Sequence, residues 1–155
     1  MRRAAAGFTL IELMVVIVIM GVVAAMVRIN VGDNSARQAR QEAAVLVRMM
    51  NALREKPVLE GQEYGMRFEP QAYQLMRFDA GQWQVADTRV RLPSGLALAL
   101  TLEGRDQPLS PRASTPHVLW LSSDENTAFS LHLGSTTQHL LSIRSDGLNE
   151  PTLHD

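Results

Sequence analysis

Residues 7–27 read GFTLIELMVVIVIMGVVAAMV, an apolar run that is interrupted by a single carboxylate, Glu12. An α-helix rises about 1.5 Å per residue, so Phe8–Val27 would span about 30 Å, the thickness of the hydrocarbon core of a bilayer. Arg2 and Arg3 precede the run, and the positive-inside rule keeps such an N-terminus cytoplasmic. The stretch therefore predicts a single membrane-crossing helix that places the rest of the chain on the far side, which in a bacterium is the periplasm.

Glu12 needs an explanation, because a carboxylate in the hydrocarbon core costs about 2–3 kcal/mol. One interpretation is a cleaved secretory signal peptide with a small-residue site at Val23-Ala24-Ala25, although the apolar run is longer than usual and an acid is unexpected within it. Another interpretation is a plain anchor that tolerates Glu12 near the membrane interface. Neither interpretation gives Glu12 a role.

The residues on both sides of Glu12 form a pattern of their own. A short basic leader ends at Gly7, the sequence Phe8-Thr9-Leu10-Ile11-Glu12-Leu13 follows, and the long apolar helix continues from there. This pattern resembles the class III signal of the pilin-like superfamily, which includes type IV pilins and type II secretion pseudopilins. The resemblance implies that a prepilin peptidase removes residues 1–7 by cutting between Gly7 and Phe8 on the cytoplasmic face, and that the new amine of Phe8 is methylated.

The physical chemistry of Glu12 agrees with this resemblance. Cleavage before Phe8 creates a cation about one helical turn away from Glu12. If the helices of several subunits pack side by side with an axial stagger, the amine of one subunit reaches Glu12 of its neighbour. Two opposite charges pair strongly in a low-dielectric bundle, where each charge alone is penalised. We therefore interpret Phe8 and Glu12 as assembly residues, with Glu12 setting the register between subunits.

The helical pattern continues beyond the predicted membrane segment, 8–27. Residues 28–56 carry apolar or small side chains at spacings of three and four, which is typical of an amphipathic helix: Ala36, Ala39, Ala43, Leu46, Met50 and Leu53. The pattern ends at Lys56-Pro57, because a residue that precedes proline is steered away from helical geometry. Gly32-Asp33-Asn34 are weak helix formers and allow a bend or a new cap, whereas an uninterrupted helix from Phe8 would be about 70 Å long.

After Pro57 the pattern changes from helical to alternating, which predicts strands. The predicted strands are 64–68, 72–78, 83–85, 96–102, 117–121, 128–133 and 139–144. Short consecutive strands favour one or two antiparallel sheets, so residues 57–155 are predicted to form a β-rich periplasmic domain that packs on the helix, in an α+β fold. Residues 103–116, EGRDQPLSPRASTP, contain three prolines and no period, and predict a surface loop that is either flexible or in contact with a partner.

Three stretches of the β-rich part resemble the H-type minor pseudopilins: GQEYGMRF at 61–68, AYQLMRF at 72–78 and HVLWL at 117–121. The resemblance implies a pilin-like fold in which a long N-terminal helix packs on antiparallel sheets. It also implies a structural, non-enzymatic role near the tip of the periplasmic pseudopilus of type II secretion, a fibre that helps drive folded proteins across the outer membrane. The implied partners are the major and other minor pseudopilins, the prepilin peptidase and the inner membrane.

The sequence contains no recognisable catalytic or metal-binding pattern. The absence of cysteine excludes cysteine nucleophiles and thiolate zinc sites. Residues 122–127 carry side-chain oxygens but lack the pattern of a calcium loop with its turn glycine, and predict a turn. Only two of the four histidines lie close together in sequence, and we interpret all four as polar positions on strands: His117, His132, His139 and His154. No catalytic residue, metal, cofactor or small-molecule substrate is therefore predicted.

The alternative function is that of a minor pilin of a type IV pilus, acting in assembly or in DNA uptake. DNA binding would require a basic cluster on the soluble domain. The net charge of the chain is −1, and Arg89 and Arg91 are offset by the neighbouring Asp87 and by the acidic C-terminal residues. No nucleic-acid partner is therefore expected.

Overall fold

The computed structural model describes residues 10–135 and 138–155, with the backbone alone described at 25–34. The chain divides into two compact units, Met1–Asn34 and Ser35–Asp155. Over the described residues the chain forms one helix and ten strands: α1 (Leu10–Glu60), β1 (Tyr64–Glu69), β2 (Ala72–Asp79), β3 (Gln82–Val85), β4 (Val90–Arg91), β5 (Ala97–Leu102), β6 (Arg105–Gln107), β7 (Val118–Trp120), β8 (Phe129–Gly134), β9 (His139–Ser145) and β10 (Thr152–His154).

The second unit begins with the amphipathic part of helix α1, whose predicted apolar stripe is buried. Ala39, Ala43, Leu46 and Met50 are fully buried, and Leu53 is 3% exposed. Arg37, Gln41 and Arg48, on the opposite face, are exposed. Because these apolar positions recur every three or four residues, one face of the helix supplies a continuous wall of the core.

Helix α1 runs past Pro57 to Glu60, so the predicted end at Lys56-Pro57 is wrong. Proline lacks an N–H donor and disfavours helical geometry in the residue before it. Tertiary contacts override this local preference. Pro57 is buried, the Lys56 ammonium lies 4.6 Å from the centre of the Tyr64 ring, and the Tyr64 hydroxyl donates a hydrogen bond to Glu60 at 2.5 Å.

The true end of the helix is marked by Gly61. This residue takes a left-handed φ of 61°, which glycine adopts without the steric cost that a Cβ would bring. The N–H of Gln62 then donates to the carbonyl of Pro57 at 3.2 Å, the long hydrogen bond of a Schellman cap. The sequence signal for the end of the helix was therefore this glycine and not the proline.

The ten strands form two antiparallel sheets. The first sheet has the order β3-β2-β1-β7, and β4 also pairs with β2; the second has the order β10-β9-β8-β5-β6. In the second sheet, His132 on β8 pairs with Ser142 on β9, and the register shifts between Leu133 and Gly134. The predicted α+β fold with antiparallel sheets is confirmed.

Part of the predicted loop 103–116 is a hairpin. Strand β6, Arg105–Gln107, pairs with β5 from Leu102↔Arg105 to Leu100↔Gln107. Glu103 and Gly104 both have positive φ, 50° and 76°, which are the values of the two-residue turn that matches the twist of a hairpin. The prediction of an aperiodic loop across all of 103–116 is therefore wrong at its beginning, where the Glu-Gly dipeptide encodes a tight turn.

The core of the second unit lies between helix α1 and the inner faces of both sheets. Its largest members include Phe68, Tyr73, Trp120, Leu131 and Ile143, each no more than 2% exposed. Burying a side chain of this kind contributes about 1.5–3 kcal/mol.

Candidate assembly segment and polar clusters

Glu12 lies in the first turn of helix α1 and is exposed. The predicted processing residues Gly7 and Phe8 lie outside the described residues. The pairing of the Phe8 amine with Glu12 of another subunit therefore stays a prediction.

The side chains that follow Glu12 present apolar surface on every side of the helix. All side chains from Leu10 to Ala24 are exposed, among them Leu10 at 80%, Met20 at 68% and Val18 at 64%. Contiguous apolar surface of this kind marks a site that another apolar surface covers. Within the part of the chain that the structure describes, no helix is both long enough and apolar enough to cross a membrane. The predicted membrane segment, 8–27, extends beyond that part at its N-terminal end.

His117 is a structural histidine at the start of strand β7. Its ring nitrogen Nδ1 accepts a hydrogen bond from the backbone N–H of Phe68 at 3.1 Å. Burial lowers the pKa of His117, a hydrogen bond to the backbone of Pro108 opposes this shift, and the charge of Arg67 adds to it. The neutral ring thus joins strand β1 to the segment before β7.

Acidification is expected to destabilise the second unit through His117. Because the pKa of this residue lies below its ordinary value of about 6.5, the unfolded chain binds the proton more readily than the folded chain. The contribution of the neutral His117 ring to the free energy of unfolding is complete above that ordinary value. It is lost as the pH falls through the pKa that His117 has in the folded chain. The urea midpoint of the full chain in detergent micelles, measured from pH 7.5 to pH 5, should therefore fall as the pH is lowered.

The matched control for this prediction is His117→Asn, which keeps an acceptor near the Phe68 N–H but does not titrate. Its urea midpoint should depend less steeply on pH than that of the unmodified chain. His132, whose pKa is also lowered by burial, contributes equally to both chains. Equal slopes for the two proteins would contradict the assignment to His117.

An ion cluster that the sequence pattern did not predict is centred on the buried carboxylate of Glu69. The Glu69 side chain is 3% exposed and receives two hydrogen bonds from the guanidinium of Arg89, and Arg67 lies 3.7 Å away. Arg67 also donates to the carbonyl of Ala113 at 2.7 Å and to Gln74 at 2.5 Å. The cluster therefore attaches both the segment before β4 and the later part of residues 103–116 to the first sheet.

The position of Arg89 corrects an expectation about charge. Arg89 was expected to be offset by the nearby Asp87, whereas it pairs with Glu69, twenty residues earlier. The alternation of β1 places Arg67 and Glu69 on the same side of the strand, which was the available signal. The third member, Arg89, lies in a segment without a helical or alternating pattern of apolar residues. The sequence pattern therefore did not indicate that Arg89 pairs with Glu69.

The other predicted polar positions are scattered, with one exception. His154 lies on β10, where its Nε2 is 2.9 Å from the Thr152 hydroxyl, and the segment 122–127 forms the predicted turn between β7 and β8. The exception is the pair His132 and His139, whose rings meet on the outside of the second sheet. Among the described residues, no group of three or more histidine, aspartate or glutamate side chains surrounds a common point.

One cleft opens at the C-terminal end of helix α1. It has a volume of about 410 Å³ and is lined by Asn51, Arg54, Glu55, Val58, Leu59, Asp124 and Glu150. Arg54, one of its lining residues, donates a hydrogen bond to the Leu148 carbonyl at 2.6 Å. The lining combines three carboxylates with a guanidinium, an amide and two aliphatic side chains, and it contains neither a hydroxyl nor an imidazole.

Comparison with known proteins adds to this geometry. Residues 2–27 match the model of the prokaryotic N-terminal methylation motif. Type II secretion system protein H of Pseudomonas aeruginosa is 37% identical to the chain over an alignment of 166 positions, gaps included, that covers 96% of this chain and 95% of that protein. The chain belongs to the type II secretion system protein H family. The protein H of Aeromonas hydrophila is 26% identical over 93% of this chain and 88% of its own length.

Solved structures related to protein H share the fold. The minor pseudopilin EpsH from the type 2 secretion system of Vibrio cholerae superimposes with a TM-score of 0.66 at 22% identity, over 76% of this chain and 95% of that chain. The solution structure of E. coli GspH gives a TM-score of 0.63 at 19% identity, over 76% and 88% of the two chains. The pilin-like fold is therefore confirmed, and membership of the protein H family favours type II secretion over the type IV pilus alternative.

Proposed function

We propose that this minor pseudopilin of type II secretion lies near the tip of the periplasmic pseudopilus and helps drive folded proteins across the outer membrane. The observation that carries the proposal is the relationship to protein H across 96% of the chain. The role is one of assembly and not of catalysis. Its partners are the major pseudopilin and the other minor pseudopilins.

The proposed location is the inner membrane, which residues 8–27 cross once before assembly. The methylation motif at residues 2–27 and the exposed apolar side chains of Leu10–Ala24 support this location. Arg2 and Arg3 keep the leader in the cytoplasm, so the second unit, Ser35–Asp155, lies in the periplasm. After assembly, the helices of neighbouring pseudopilins replace lipid as the cover of the apolar surface.

Processing is the step that converts the membrane protein into a fibre subunit. The prepilin peptidase cuts between Gly7 and Phe8, and the amine of Phe8 is then methylated and remains a cation. In the staggered bundle, this amine pairs with Glu12 of a neighbouring subunit. The match to the methylation motif and the position of Glu12 in the first turn of α1 support this mechanism.

The test uses a bacterium from which the gene for this chain has been deleted. The full chain should restore export of secreted proteins to the medium and should crosslink to other pseudopilins. A fragment that begins at Arg28, sent to the periplasm by a cleavable signal peptide, should do neither, because it lacks the assembly helix. Export restored by the fragment would overturn the structural role.

A further inference from the structure

A line of polar side chains crosses the outer face of the second sheet. It runs from Asp106 on β6 through Thr101 on β5 and His132 on β8 to His139 on β9. The alternating burial of β8 shows why the line faces outward. Leu131 and neighbouring odd positions enter the core, whereas His132 lies on the opposite side.

The strand register brings the two histidines together. His139 pairs with Gly134, two residues after His132, so the imidazoles are diagonal neighbours across the hairpin. The Nδ1 of His132 lies 3.1 Å from the Nε2 of His139, and the ring centres are 5.1 Å apart at an angle of 63°. Gly134 permits the close approach of the backbone at Gln138, since a Cβ there would lie 2.6 Å from the carbonyl oxygen of that residue.

The distance between the two nitrogens suits a shared metal ion. A zinc–imidazole bond is about 2.0–2.1 Å long, and two such bonds at 90–110° separate their nitrogens by about 2.8–3.4 Å. In the metal-free chain, one N–H occupies this space as a hydrogen bond between the rings. His139 is exposed, so its ring can turn and direct a lone pair to an ion beside His132.

The remaining side chains of the line orient His132. Its second ring nitrogen, Nε2, lies 3.5 Å from the hydroxyl oxygen of Thr101, and that hydroxyl donates to Asp106 at 3.0 Å. Because the Thr101 proton is directed to Asp106, the hydroxyl oxygen is left to accept the Nε2–H of His132. This arrangement leaves the lone pair on Nδ1, and metal-binding histidines are oriented by an oxygen acceptor in the same way.

We propose that His132 and His139 form an open two-histidine site for a divalent late transition-metal ion, with Cu²⁺ bound more tightly than Zn²⁺. Imidazole ligands suit both ions, and the general order of affinities places Cu²⁺ first. Since no third histidine or carboxylate of the described residues reaches the site, water or an external ligand completes the coordination. The bound ion joins β8 to β9. This site does not depend on the proposed role in secretion.

The test is a titration of the full chain in detergent micelles with Cu²⁺, Zn²⁺ or Mg²⁺ alone, followed by calorimetry. We expect one Cu²⁺ to bind at this site, Zn²⁺ to bind more weakly and Mg²⁺ not to bind. Electron paramagnetic resonance of the Cu²⁺ complex should show hyperfine coupling to two imidazole nitrogens. A spectrum without nitrogen coupling, or equal binding of Mg²⁺, would overturn the proposal.

Matched variants separate the site from other copper ligands such as the terminal amine. His132→Gln and His139→Gln should each weaken this Cu²⁺ site about tenfold or more, whereas His154→Gln, a change to a histidine on β10, should leave it unaltered. Thr101→Val should weaken it by about tenfold through loss of the orienting hydroxyl. Because His139 is exposed, its replacement leaves the fold intact. Unchanged affinity in His139→Gln would overturn the proposal, as would an equal loss in His154→Gln.

Discussion

Glu12→Ala is expected to yield a chain that is processed and inserted into the membrane but is absent from the pseudopilus. The change removes the carboxylate that, in the proposed assembly, pairs with the amine of Phe8 from a neighbouring subunit. An unpaired charge that remains in a low-dielectric bundle costs about 3–5 kcal/mol. Since about 1.4 kcal/mol corresponds to a factor of ten, the equilibrium for incorporation should fall by more than about a hundredfold.

Crosslinking in whole cells measures this effect. A cysteine placed in the exposed apolar part of helix α1 should form crosslinks with other pseudopilins in the unmodified background, and these should disappear in Glu12→Ala. Glu55→Ala is the matched control, because it removes an exposed carboxylate from the same helix far from its N-terminus. Glu12→Asp keeps the charge and should retain part of the crosslinking. Normal crosslinking of Glu12→Ala would refute the pairing model.

Gly7→Leu is expected to leave the precursor uncut. The cleavage that the pilin-like signal implies requires a residue without a side chain immediately before Phe8, and leucine would occupy that space. The uncut chain keeps the basic leader, so no amine exists at Phe8 to pair with Glu12. Mass spectrometry of the membrane fraction should find the full 155-residue chain, and export should fall to the level of the deletion strain.

The control for this variant is Ala4→Leu, which adds the same side chain within the leader but away from the cut. It should be processed normally. Mature-length protein from Gly7→Leu would show that Gly7 does not define the cleavage site. Export by an uncut chain would instead separate processing from function and would contradict the proposed role of the Phe8 amine.

The local signals in the sequence were sufficient for most of the fold. The three- and four-residue spacing of Ala39 to Leu53 predicted the buried face of α1, because a helix has a fixed period. The alternation after Pro57 predicted antiparallel strands, because a strand has a period of two. The segment around Glu12 predicted the pilin-like superfamily, since its glycine, aromatic residue and acid stand at fixed spacings in the sequence.

The features that were missed depend on contacts distant in sequence or on single turns. The helix continues through Pro57 because Tyr64 packs on its last turn, a tertiary contact that outweighs the local preference. Arg89 reaches Glu69 only after β2 and β3 have folded back, so spacing along the chain does not reveal the pair. His132 and His139 were close in sequence, but only the shifted register at Gly134 determines that their rings touch.

The strand order of the two sheets has a consequence for how the fibre grows. The first sheet ends in β3 and β7 and the second in β10 and β6, and these border strands have three or four residues each. Short border strands offer few free backbone groups to a strand from another molecule, which limits amyloid-like association. A protein that is concentrated in a fibre is thereby protected from pairing through the edges of its sheets, which agrees with the proposed assembly through the helix that carries Glu12.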